Sequence, residues 1–117
     1  MAATKRACPM ALAAEGISIE VIDLRSIRPI DSETIIKSVK KTTRLASIYE
    51  GVKTLGIGAE ISAMIAESDA FDYLDAPILR MGGAESPIPY SPILEKAAVP
   101  QVESIVVGLR NLVKGRT

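Results

Sequence analysis

The hydrophobic period of this chain switches repeatedly between that of a strand and that of a helix, and this constrains its fold more than any other feature. Residues 18–24, S-I-E-V-I-D-L, alternate and then run continuously apolar, which suits a buried strand of a parallel sheet. The following R-S-I-R-P-I-D closes that strand. Pro29 disfavours helix at Arg28, and Asp31 is placed to cap a helix reaching Thr42, in which Ile35, Ile36 and Val39 form one apolar stripe. A second unit begins at Arg44, where L-A-S-I-Y predicts a strand. It passes through a glycine-containing loop into a helix from about Gly58, with Ile57, Ile61, Met64 and Ile65 on one face. Residues 76–81 predict a third short strand, since Pro77 is tolerated at a strand's first residue but not in its middle.

Beyond Met81, the residues Gly82, Gly83, Pro87, Pro89 and Pro92 interrupt regular structure before a short helical stretch near 93–97. Pro100 opens a last helix, in which Val102, Ile105, Val106, Leu109, Leu112 and Val113 keep the i, i+3, i+4, i+7 spacing. Lys114 and Arg116 sit near the negative end of its dipole. The alanine-rich residues 2–15 predict a helix stopped by Gly16, with Pro9 either breaking it or marking its first turn. The order α-β-α-β-α-β-α predicts an α/β fold: a thin parallel sheet of three strands, covered by helices on both faces and joined by right-handed crossovers. No internal repeat, low-complexity tract or linker divides residues 1–117, so one domain is expected.

Composition narrows function. The chain has 117 residues, 48% of them hydrophobic, which allows a real core. Its 14 basic and 14 acidic residues cancel and are spread along the chain, so no basic face is available for nucleic acid. There is no histidine and only one cysteine, Cys8. One copy therefore assembles neither a disulfide nor a tetrahedral Cys/His metal site, and a reducing compartment fits. The missing histidine also removes the commonest general base near neutral pH and every Ser-His-Asp or Cys-His arrangement. Catalysis by this chain alone is not expected, nor is a cofactor or metal bound by it. No apolar run approaches the roughly 20 residues of a bilayer-spanning helix, and no secretory h-region stands at the start. Lys5 and Arg6 are too few for a transit peptide.

Five features invite a chemical reading, and each has a plainer one. Gly56-Ile57-Gly58, between a strand and a helix, resembles part of a dinucleotide fingerprint, but the third glycine falls at Ile61; close packing at the helix entry is favoured over a phosphate site. Asp23, Arg25, Arg28 and Asp31 flank the end of the first predicted strand, where two arginines could clamp an anion; pairing with the neighbouring aspartates is favoured. Glu50 and Glu60 could form an acid-base pair, but Glu60 suits the positive end of its own helix and nothing brings the two together. Cys8 reads as a small buried apolar group rather than a nucleophile. Among the aromatics Tyr49, Phe71, Tyr73 and Tyr90, the last lies in P-I-P-Y-S-P; packing under its own loop is favoured over anchoring a partner.

Five segments then carry a resemblance: E-G-I-S-I-E-V-I-D-L-R-S-I-R-P-I-D at residues 15–31, G-I-G-A-E-I at 56–61, Y-L-D-A-P at 73–77, P-I-P-Y at 87–90 and V-P-Q-V at 99–102. In order and spacing, from about residue 15 to 115, they resemble the transketolase-like carboxy-terminal domain of the beta subunit of thiamine-diphosphate-dependent pyruvate dehydrogenase. Beta subunits of the branched-chain 2-oxoacid dehydrogenases share D-L-R and the proline-aspartate pair. They typically carry tryptophan where Ile30 stands, histidine before Glu50, and proline-histidine at Pro89-Tyr90; this chain is similar to the pyruvate type at all three.

The resemblance implies a three-layer α/β/α domain. It also implies partnership with an alpha subunit and a second beta subunit in a heterotetramer, and with the subunit-binding domain of dihydrolipoyl acetyltransferase. In the family, thiamine diphosphate, its magnesium and the catalytic histidine lie between the alpha subunit and the beta subunit's amino-terminal domain, so this chain is expected to contribute assembly rather than chemistry. Asp75 of L-D-A-P is the residue carried over for the acetyltransferase contact, where an acidic group suits a basic partner. The compartment implied is the mitochondrial matrix, or the cytoplasm of a bacterium. A scaffold or binding module derived from the same domain is the alternative. Family members carry a further, central strand before the helix that leads to Gly16, and M-A-A-T-K-R-A-C-P-M at residues 1–10 matches that helix poorly. The sheet is thus expected to be incomplete at its amino-terminal strands, with unpaired edges. Arg116 and Thr117 slightly extend the family's usual end.

Overall fold

The structure, a computed structural model, describes residues 2–115, so the readings that touch Met1, Arg116 and Thr117 fall outside it. Helix α1 spans Ala2–Ala13 with Pro9 inside it. The proline neither breaks the helix nor begins it, contrary to both options its position suggested. It forfeits one backbone hydrogen bond, but Cys8 and Leu12, on either side of it, are buried against the chain's last helix, and that burial offsets the loss. After α1 the chain turns at Gly16, whose φ of +78° favours glycine. The Gly16 amide donates to the Ala13 carbonyl and the Ile17 amide to the Leu12 carbonyl, both at 3.0 Å, which satisfies two orphan carbonyls of the helix end.

Helix α2, Ser32–Thr42, begins as its sequence requires. Asp31 Oδ1 accepts from the Thr34 amide at 3.1 Å and Oδ2 from the Thr34 hydroxyl at 2.6 Å. Strand β1, Ala46–Val52, leads into helix α3, Ile57–Ala66, then a 3-10 turn at Asp69–Tyr73, and returns as strand β2, Leu79–Gly83. Helices α4, Pro92–Ala98, and α5, Val102–Val113, complete the order. The 3-10 turn had no sequence signal from apolar period, although Ser68 caps it by accepting from the Ala70 amide at 3.2 Å. Helix α5 starts two residues after Pro100, where the Ser104 hydroxyl accepts from the Gln101 amide at 3.2 Å. Of its predicted stripe, Val113 is exposed instead.

β1 and β2 pair in parallel, Ala46 with Leu79, Ser47 with Arg80 and Ile48 with Met81, and the register slips before Val52 meets Gly83. Alternation along these strands feeds two cores. Ile48 and Met81 pack with Cys8, Leu12, Ile105 and Val106 of α1 and α5. On the other side Ile35 and Val39 of α2 and Ile61 and Ile65 of α3 bury with Ala70, with Leu45 and Ile78 packed against them. The sheet therefore lies between two helical layers, the α/β/α arrangement expected.

The expected first strand is not one. Residues 17–26 run without regular secondary structure, and the sheet has two strands, not three. Its side chains alternate as in a half-buried strand: Ile17 and Ile19 pack against the α1/α5 core and Leu24 against the α2/α3 core, each partly buried. Glu20 accepts from the Ser38 hydroxyl at 2.9 Å and lies 3.6 Å from Lys41 Nζ, which holds the segment along α2. What is missing is a ladder. β1 takes its hydrogen bonds from β2, and no other strand among the described residues offers the segment a partner. This is the physical form of the incomplete sheet the resemblance implied. No helix among the described residues is long and apolar enough to cross a membrane.

Two glycines show how closely α3 enters against β1. A Cβ on Gly58 would stand 2.6 Å from both Ser47 Oγ and the Tyr49 ring, and one on Gly56 2.8 Å from that ring. Both are packing glycines.

Four carboxylates are held below their ordinary range by hydrogen bonds: Glu15 by Arg110, Asp31 by Thr34, Asp69 by Lys40 and Glu85 by Thr54. Glu15 accepts from Arg110 Nε at 2.8 Å and Nη2 at 2.5 Å, joining the end of α1 to α5. Because the folded values lie below the unfolded ones, these groups stabilise the fold above the ordinary carboxylate range. That contribution disappears as the pH falls through the folded values.

Ile65→Ala, at a fully buried site, is expected to cost about 2–5 kcal/mol in urea unfolding, whereas Leu55→Ala, at 97% exposure, should change it by less than about 0.5 kcal/mol. Gly58→Ala is expected to cost about 1–3 kcal/mol and to be non-additive with Tyr49→Ala, because removing the ring relieves one of the two close contacts of the new methyl group, the other being Ser47 Oγ. Thermal midpoints should fall on acidification below the ordinary carboxylate range, and Glu15→Gln should flatten that fall; an unchanged slope would contradict the assignment.

Candidate functional site

The loop after β1 occupies the place where a phosphate-binding turn would sit, and its side chains are engaged within the fold. The half-buried Tyr49 ring lies against Gly56 and Gly58, and its hydroxyl donates to the Lys53 carbonyl at 3.4 Å. Lys53's carbonyl also accepts from Arg80 Nη1 at 3.3 Å, and Glu85 Oε1 accepts from both the Thr54 amide and hydroxyl at 2.9 Å. The loop is thus clamped from β1, β2 and the segment beyond β2, with Leu55 at φ 57° pointing into solvent. Side-chain packing explains the glycines, as the plainer reading of G-I-G required.

The charged cluster at residues 23–31 is also engaged locally. Arg25 Nε lies 3.6 Å from Asp23 Oδ2, Asp31 caps α2, and Arg28 is exposed. Glu50 and Glu60 are both exposed, and Glu60 stands in the first turn of α3. Cys8 is buried; burial first, and the nearby Glu103 charge second, push its thiol up and away from the reactive thiolate. No group of three or more His, Cys, Asp or Glu is arranged to hold a metal ion among the described residues.

What remains is surface. Asp75 follows the 3-10 turn with its side chain exposed, and its amide donates at 2.9 Å to the carbonyl of Thr43, which ends α2 in a left-handed conformation. That bond fixes the aspartate's backbone between two helical elements. Next to it runs a shallow, mainly apolar groove lined by Ser62, Ala66, Phe71, Leu74 and Pro77, with Asp72 on its rim. Across the same region Lys40 bonds Asp69 at 2.6 Å and lies 5.7 Å from the centre of the Tyr73 ring, tying α2 to the 3-10 turn. An exposed carboxylate on a backbone held this way can meet a cation on a partner; it lacks the burial that would suit it to proton transfer. The groove itself escaped sequence reading because α3, the 3-10 turn and the segment after it build it together, and the turn's local signal is the Ser68 cap.

A second exposed surface corrects the expectation for Tyr90, which is 100% exposed rather than packed under its loop. The helix that follows the loop, α4, buries none of its residues, and Ile88, Ile93 and Leu94 are exposed as well.

The transketolase C-terminal domain family matches residues 4–105. The chain is 60% identical over 95 residues to the mitochondrial pyruvate dehydrogenase E1 component subunit beta of Dictyostelium discoideum, covering 81% of this chain and 26% of that protein. The subunit of the same name from Saccharomyces cerevisiae is 52% identical over 97 residues, 83% of this chain and 26% of that protein. The human one is 48% identical over 99 residues, 85% and 28% respectively. The chain spans about a quarter of the length of the curated relatives it matches. On the match to residues 4–105 and these identities, the chain belongs to the transketolase C-terminal domain family, in the form similar to that of pyruvate dehydrogenase E1 beta subunits.

Proposed function

We propose that this chain is the carboxy-terminal domain of a pyruvate dehydrogenase beta subunit, and that it provides assembly surface, not catalytic groups, for the oxidative decarboxylation of pyruvate to acetyl-CoA. The observation that carries this reading is the 60% identity to an E1 beta subunit over 81% of the chain. The absence of histidine from the sequence agrees with the non-catalytic half. The Tyr49 ring against Gly56 and Gly58 and the scattered carboxylates do not fit a diphosphate and its magnesium, so in this reading the cofactor of the parent enzyme is held by other parts of the assembly. The word mitochondrial in the names of the relatives supports the mitochondrial matrix as compartment.

The partners in this reading are an alpha subunit, a second beta subunit and the subunit-binding domain of dihydrolipoyl acetyltransferase. Asp75 makes the last contact. Its support is the L-D-A-P motif together with an exposed carboxylate on a fixed backbone beside an apolar groove, which complements a basic partner carrying an apolar side chain. The apolar surface around Tyr90 supports a further protein contact.

Purified chain supplied with thiamine diphosphate, magnesium and pyruvate is expected to release no carbon dioxide; release without an alpha subunit would overturn the non-catalytic half. Pulldown from the native source is expected to recover the alpha subunit or the acetyltransferase. Recovery of neither would favour the derived scaffold instead. Asp75→Lys is expected to weaken capture of the acetyltransferase's subunit-binding domain by roughly tenfold while leaving the thermal midpoint unchanged, and undiminished capture would refute its role.

A further inference from the structure

We draw no further inference here: the strongest candidate, the segment at residues 18–24, whose half-buried Ile19 packs in the same core as Ile48 of β1 but which belongs to no strand among the described residues, is an edge for which nothing in the structure shows what covers it.

Discussion

The parallel pairing of β1 with β2 is the contact through which the helices are organised. Because side chains alternate across a strand, a pairing that sets Ile48 opposite Met81 puts both on the face that receives α1 and α5. The opposite face receives α2 and α3, whose Ile35, Val39, Ile61 and Ile65 close the second core. A slip of one residue would exchange these faces and expose both sets. The glycines follow from the same pairing: a Cβ on Gly82 would stand 2.9 Å from the Gly51 carbonyl oxygen, so β2 can approach β1 past its irregular register only without side chains there.

Such a thin sheet offers a ladder to few residues. Residues 18–24 pack as a half-buried strand and are anchored by Glu20 to α2, yet they gain no ladder. Side-chain burial and backbone pairing, which usually arrive together in a sheet, are separated in this segment. Its packing contributes to both cores while its amides do not contribute to the sheet. The consequence for function is that the molecule's informative features are surfaces: an edge, a groove beside Asp75, and the apolar face around Tyr90.

The helices were legible wherever local chemistry decides them. Asp31 caps α2, and Ile35 and Val39 are buried as their spacing demands; Ile61 and Ile65 do the same in α3. The glycines of G-I-G were legible as packing residues, though not the atoms they pack against, since Tyr49 comes from the preceding strand. Asp75 was singled out only through a motif; its exposure and the neighbouring groove, which α3, the 3-10 turn and the segment after it line together, have no apolar period to announce them.

By itself the sequence determined the helices, the two strands that pair, the lack of histidine chemistry and the family, because period, composition and motif are local properties carried by the residues themselves. Only the tertiary structure decided that residues 18–24 form no strand of the sheet, that Pro9 is held within α1, and that Tyr90 is fully exposed. Each of these depends on which partner lies across the fold, and a strand, a buried helix face or a loop tip obtains that partner only from residues distant in sequence.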